Sequence, residues 1–361
     1  MSFQFATRFA PRLKSSLPAL ALFATAVSAT ADPITFTDMA GRDITLDGVP
    51  NRVVGIASPA GSMVVTMAQD GKTLVGTSPN SHRAMVEGVM DEFFPGLANI
   101  KSNFIPKEGP VNIEAILQLE PDVVLQWARN DKSIAALEAA GLKTVGMKYA
   151  KLDIATNWLT DLGIMFEQSD RVAEILAWHD SRYKEIIAKT STVADEDKPS
   201  VLYLLAPMRA AGPQSHFQFF MDTAGAKNAL PVDGKFVDLD PEMLLMANPD
   251  IIWLFGFNMK MLPEGIYNNP LYADLNAVKN HRIYKVPVGG DRWDPPNQEF
   301  PLGWEWFTRT AHPELLDGSI RDSMKAAYPM LYGQTPTDAQ MDMMLRVKIN
   351  AGSADYATIV R

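Results

Sequence analysis

The chain has 361 residues, no cysteine, and 33 basic against 42 acidic residues, for a net charge of −9 at neutral pH. Without cysteine it can build no disulfide, thiolate metal site, cysteine nucleophile or lipid-modified cysteine. The acidic balance argues against a nucleic-acid partner, and the length asks for about two domains.

Arg8, Arg12 and Lys14 precede the apolar run LPALALFATAV, which leads to Ala29-Thr30-Ala31. That order reads as a secretory signal over residues 1–31, cleaved after Ala31. The run is too short for the about 20 residues that span a bilayer. Its removal leaves 30 basic against 42 acidic residues, a mature charge of −12. An exported chain with neither a lipid anchor nor a membrane span is expected to be soluble in a periplasm.

The mature chain opens on FTDMAGRDITL, two alternating runs around Gly-Arg, which predicts a hairpin. Short β-branched runs bounded by turn formers follow: RVVGIASP at 52–59, TLVGTSPN at 73–80, PDVVLQWARN at 121–130 and LKTVGM at 142–147. Helical patterns separate them, so this half reads βαβα with strands buried on both faces. From Asp153 to Lys189 there is no proline, and Val172, Leu176, Tyr183 and Ile186 keep one helical face. One helix over 153–190 would run about 50 Å at about 1.5 Å per residue. A break at Gly163 or at 167–169 would give two ordinary helices instead.

After STVADEDKPS the alternation resumes with VLYLLAPMRAAGP at 201–213, DIIWLFGFN at 250–258 and HRIYKVPVGG at 281–290. NIEAILQLEPDVVLQW at 112–127 matches DPEMLLMANPDIIWLF at 240–255: a Glu seven residues before Pro-Asp, an apolar helical run between, then a buried strand. The predicted fold is α/β, two Rossmann-like lobes (32–152 and 191–361) with central parallel sheets, joined by a single long α-helix over 153–190.

Parallel sheets bind ligands at the carboxyl ends of their strands, which here carry a distinctive set of side chains. Arg83, Arg129, Arg209 and Arg292 each follow a strand within a few residues. A guanidinium fork pairs with carboxylate, phosphate or catecholate-type oxygens and stays charged. Tyr149, Phe217, Phe257 and Trp293 can supply flat walls, whereas Trp127 and Trp253 alternate with apolar residues and read as core. Ser58, Pro59, His82, His216 and Asn258 complete the candidate ligand set. The histidines are open as metal contacts, though a loop histidine is more often a hydrogen-bonding group. In GGDRWDPPNQEF at 289–300 the glycines are read as the turn after a strand. Arg292 and Trp293 are read as charge and wall, Asp291 and Asp294 as partners of the arginine or helix caps, and Pro295-Pro296 as a stiff entry into a helix near Gly303–Thr310. No His-Glu-x-x-His, GxxxxGKS, GxSxG or helix-opening GxGxxG is present, so a binding protein is expected rather than an enzyme. A hydrolase using Ser58 and His82, or a ligand-free scaffold or sensor, are the rivals.

The opening FTDMAGRDITLDGVPNRVVGIASP, NIEAILQLEPDVVL, AALEAAGLKTVGM, AGAKN at 224–228 and LNAVKNHRIYKVP at 275–287 together resemble the periplasmic substrate-binding proteins of iron-chelate and cobalamin importers of the ATP-binding-cassette type. The resemblance implies two lobes bridged by one rigid helix, a ligand held between them, no catalytic cofactor, and a monomer that delivers to an inner-membrane permease. It implies docking through an acidic residue on each lobe, with Glu87, Asp91 and Glu92 as candidates in the first and Asp222 in the second. Five unclustered histidines fit poorly with the zinc and manganese branch. The arginines and aromatics instead suit an anionic iron chelate such as a ferric siderophore, or else cobalamin, haem or a molybdate-like oxyanion.

Overall fold

The computed structural model describes residues 32–106, 110–148 and 154–361. Residues 1–31, read as a signal, and Tyr149, read as a ligand wall, lie outside them. Twelve strands are described: β1 (Ile34–Thr37), β2 (Asp43–Leu46), β3 (Val53–Gly55), β4 (Leu74–Thr77), β5 (Val123–Trp127), β6 (Thr144–Met147), β7 (Ser200–Ala206), β8 (Arg209–Ala211), β9 (Lys227–Asn228), β10 (Phe236–Asp238), β11 (Ile251–Leu254) and β12 (Ile283–Lys285). The helices are α1 (Ala60–Ala68), α2 (Pro79–Glu87), α3 (Met90–Phe93), α4 (Ile113–Leu117), α5 (Asp131–Ala139), α6 (Ile154–Met165), α7 (Ser169–Thr190), α8 (Gln218–Thr223), α9 (Pro241–Ala247), α10 (Pro263–Tyr267), α11 (Asn276–Lys279), α12 (Phe300–Ala311), α13 (Ile320–Tyr332), α14 (Asp338–Met344) and α15 (Tyr356–Ile359).

The opening hairpin forms as expected, β1 antiparallel to β2. The first lobe is built on an all-parallel sheet of order β4-β3-β5-β6, with Val53 and Val54 of β3 and Val123, Val124 and Leu125 of β5 fully buried and Trp127 at the end of β5 partly buried. The second sheet runs β10-β8-β7-β11-β12, with β9 beside β7. It is mixed rather than purely parallel, because VLYLLAPMRAAGP folds back on itself. Met208 adopts a left-handed conformation (φ 57°), and β8 returns antiparallel to β7.

The repeated sequence pattern lands on equivalent pieces of the two lobes. Each copy is a helix (α4, α9), a Pro-Asp turn and a strand (β5, β11) with a parallel neighbour on both sides. The aspartates also do the same work. Asp122 accepts from the backbone N–H groups of Asn51 and Arg52 just before β3, and Asp250 accepts from the N–H of Ser200 at the start of β7. Each carboxylate fixes where its neighbouring strand begins, a task that only a short acceptor at that turn can perform.

The linking run is two helices, not one. α6 ends at Met165, Glu167 is left-handed (φ 52°), and the Gln168 N–H closes on the Gly163 carbonyl at 2.7 Å before α7 starts. Gly163 is where the two helices touch, since a Cβ there would sit 2.6 Å from a Val172 methyl. α7 turns Val172, Ile175, His179 and Ile186 inward, the spacing of one helical face, with Arg182 and Tyr183 partly buried in the turn between the last two. Its Arg171 donates to the carbonyls of Thr66 at 2.6 Å and Leu331 at 2.7 Å, tying α1, α7 and α13 together.

The C-terminal helices reach back to the first lobe. Tyr328 and Tyr332 of α13 pack on Phe93, with ring centroids 6.0 and 6.1 Å apart, and Gln340 of α14 donates to Glu92 at 2.7 Å. Among the described residues no helix is long and apolar enough to cross a membrane.

Candidate ligand site between the lobes

β12 ends at Lys285, and the chain then runs through Gly289 to Glu299 into α12. This loop is buried along its length: Asp291, Trp293, Asp294, Asn297, Gln298 and Glu299 have no exposed surface. The glycines are needed for close approach rather than for a turn, since neither has a positive φ. A Cβ on Gly289 would lie 2.2 Å from the Tyr328 hydroxyl, and one on Gly290 2.1 Å from that of Tyr332. The Val89 N–H donates to the Gly289 carbonyl at 3.1 Å, and a Cβ on Gly88 would collide with that same oxygen. Two glycines therefore let the lobes meet backbone to backbone.

Trp293 is a core residue, not a wall of the cleft. Its indole donates to Glu299 Oε2 at 2.9 Å, and Glu299 also accepts from the Gly290 N–H and the Tyr332 hydroxyl, both at 2.8 Å. Burial pushes the Glu299 carboxyl up, and these donors oppose the shift. Phe217 is likewise core, its ring centroid 4.6 Å from that of Tyr203. An alternating or aromatic-rich sequence marks a large side chain without saying which way it faces.

Arg292 is held as the sequence suggested, between Asp291 (3.8 Å) and Asp294 (3.5 Å), and its guanidinium lies over the Phe257 ring at 3.2 Å. It is only 5% exposed. Asp291 reaches across the boundary: Ser62 in the first turn of α1 donates to it at 2.9 Å. Burial pushes Asp291 up to about 6, against the Arg292 charge and the hydrogen bonds from the Arg292 N–H and Ser62. Asp294 accepts from the Gly256 N–H at 2.7 Å and the Tyr203 hydroxyl at 3.2 Å, which sets it above the carboxyl ends of β7 and β11. His216, half-buried against Phe217, is pushed down to about 4 by burial, with Asp294 opposing the shift.

Two cations that sequence reasoning missed support this floor. Lys285, fully buried, donates to the carbonyls of Phe255 at 2.5 Å and Asn258 at 2.7 Å. Arg346 donates to the Val286 carbonyl at 2.9 Å and lies 3.7 Å from Glu87. Between them they pin the loop that carries Phe257. Burial pushes Lys285 down to about 7, helped by Arg346 and opposed by Asp294 and Glu87. Lys285 sits inside an apolar strand and Arg346 far along the chain, so neither carried a local signal.

The other expected residues are spread more widely. Ser58 and Pro59 open α1 at the carboxyl end of β3, and Ser58 accepts from Ser81 at 3.0 Å. His82 Nε2 lies 3.1 Å from the Ala98 carbonyl rather than near Ser58. Arg83, one turn into α2, and Arg129, 5.0 Å over Trp127, are exposed and make no ion pair with a described residue. Arg209 is half-exposed at 3.4 Å from Asp238 and over Phe236. Among the described residues no group of three or more His, Asp or Glu could hold a metal ion. Of the expected docking acids, Glu87 faces Arg346, Glu92 accepts from Gln340, Asp91 accepts from the Ala98 N–H at 2.8 Å, and Asp222 is exposed.

A family model described as periplasmic binding protein matches residues 73–288. The chain belongs to the periplasmic binding protein family. Its relatives include the molybdate-binding protein MolA of Haemophilus influenzae, 26% identical over 352 residues, covering 90% of this chain and 97% of that protein. The Fe(3+)-citrate-binding protein YfmC of Bacillus subtilis is 24% identical over 247 residues, covering 66% and 74%. A periplasmic solute-binding protein from Veillonella parvula superposes with a TM-score of 0.81 at 28% identity, covering 89% of this chain and 99% of that one. Periplasmic binding proteins of this kind are non-enzymatic partners of ABC transporters that deliver small ligands to a membrane permease.

Proposed function

We propose that this periplasmic binding protein is a soluble, monomeric receptor that captures an anionic iron chelate, of the ferric siderophore class, between lobes 32–152 and 191–361. It is exported by the segment 1–31, carries no lipid anchor because it has no cysteine, and presents its cargo to an inner-membrane permease. Asp222, exposed on the second lobe and bonded to Gln218 of its own helix, is the docking acid there, with Glu87 and Glu92 bordering the lobe contact on the first.

The observation that carries this reading is Arg292, a buried guanidinium at the carboxyl edge of the second sheet, stacked on Phe257 and braced across the lobe boundary by Asp291 and Ser62. Exposed Arg83 and Arg129 add positive charge on the first lobe, where an anion would be drawn in. Relatives named for Fe(3+)-citrate and Fe(3+)-hydroxamate support the ligand class. A molybdate-like oxyanion is the second reading, favoured by the near full-length match to MolA. Titration of intrinsic tryptophan fluorescence with ferric citrate, a ferric hydroxamate, cobalamin, haem and molybdate separates them. A ferric chelate is expected to bind and raise the melting temperature; tighter binding of molybdate would replace this reading with the second, and silence from all five would remove the receptor.

A further inference from the structure

The Arg292 side chain has one unusual property for a buried guanidinium: it donates no hydrogen bond to any described residue, and its Nε is wholly buried without a hydrogen-bond acceptor. Its contacts with Asp291 and Asp294 are 3.8 and 3.5 Å, long for hydrogen bonds. Its flat face is taken by Phe257, which leaves the in-plane N–H groups uncommitted. Asp294 is the mirror case. Oδ2 is committed to Gly256 and Tyr203, while Oδ1, fully buried beside Arg292, accepts nothing. Arg292 Nη1 and Asp294 Oδ1 face each other at 3.5 Å, an ion pair too long to be a hydrogen bond, so both sides keep unused hydrogen-bonding capacity that one partner wedged between them would satisfy.

The charges around this pair decide what kind of partner. Arg292, Arg346 and Lys285 face Asp291, Asp294 and Glu87, three cations against three carboxylates. Lys285 is turned into backbone carbonyls and Arg346 toward Glu87, so neither offers charge to the cleft. His216, beside Asp294, is kept neutral by burial. A bare polyanion would therefore meet a floor without net positive charge, its oxygens set against Asp294.

We propose that Arg292 and Asp294 form a donor–acceptor clamp for an uncharged amide or hydroxyl edge of the ligand, presented beside its metal-binding atoms. The proposal rests on the receptor reading above and sharpens it. Rim arginines attract the chelate by its charge, and the floor selects it by an edge that offers an oxygen to Arg292 and an N–H or O–H to Asp294. A site built on such paired bonds discriminates strongly against ligands that lack one of them.

The test is calorimetric titration of the purified chain and its Asp294→Asn variant with four probes. Two carry amides, an anionic ferric tris-catecholamide and cobalamin; two do not, ferric citrate and molybdate. Asn keeps the shape but turns the open acceptor into a donor. The amide-bearing probe that binds the wild type is expected to weaken at least tenfold in the variant, with ferric citrate and molybdate changing less than threefold or tightening. An equal change for all probes, as a buried water bonded to the pair would give, overturns the clamp while leaving the receptor standing. A wild type that prefers ferric citrate or molybdate tenfold over both amide probes overturns it as well. Should no probe bind the wild type, receptor and clamp fall together. If Asp294→Asn melts early, Arg292→Lys, which keeps the charge but loses the fork, carries the same contrast.

Discussion

The Ser62 hydroxyl on α1 donates to Asp291 at 2.9 Å, joining the first helix of one lobe to the loop after the last strand of the other. Asp291 is fully buried, so removal of this donor leaves a carboxyl with one fewer partner. Ser62→Ala is expected to cost about 1–3 kcal/mol. Chemical denaturation should show this as a lower midpoint with an unchanged slope.

Lys285 makes stability depend on alkaline pH. Its ammonium titrates near 10.5 in the unfolded chain and at about 7 when folded, so between these values the folded chain holds fewer protons. Stability should therefore rise with pH from 7 to 10, by at most about 1.4 kcal/mol per pH unit from this group. Lys285→Met should remove that rise. Denaturation midpoints at pH 7, 8 and 9 measure it.

In mild acid two pairs of groups oppose each other. Burial pushes Asp291 and Asp161 up to about 6, so they bind protons more readily when folded and make stability fall as pH rises from 4 to 6. Burial pushes His179 and His216 down to about 4, so they do the reverse. Glu299, also pushed up by burial, acts with the two acids, and Asp38, held down by its bonds to Arg42 and Gly146 against burial, acts with the histidines, so the wild-type melting temperature should vary little between pH 4.5 and 6. Asp161→Asn removes one acid, and the variant's melting temperature should then climb with pH across the same range.

Arg83 and Arg129 are exposed, and their charge should act on capture more than on retention. Reversing both, as Arg83→Glu with Arg129→Glu, is expected to slow association with an anionic chelate several-fold and to leave the dissociation rate within twofold. Stopped-flow fluorescence at low salt reads both, and 0.5 M salt should erase most of the difference.

Much of this architecture was legible in the sequence because it rests on periodicity and turn chemistry. The strand runs at 52–59, 73–80, 121–130, 142–147 and 250–258 all contain strands, and the repeated Pro-Asp units fall on equivalent strands with equivalent roles. The break between α6 and α7 was harder to see, because a left-handed Glu167 leaves the apolar face continuous on either side. Side-chain direction was the weak point of the site. Trp293 and Phe217 turned inward, whereas Arg292, flanked by two aspartates in its own loop, was recognisable from local sequence alone. Lys285 and Arg346 were hidden because their partners are backbone carbonyls, which no residue identity announces.

The most direct measurement is a calorimetric titration of the tightest-binding ferric chelate into the wild type and Arg292→Ala, with circular dichroism to confirm that both are folded. The account predicts one site per chain in the wild type and a loss of more than tenfold in affinity in the variant. An affinity unchanged by Arg292→Ala would contradict it, because the ligand would then rest somewhere other than the floor between the lobes.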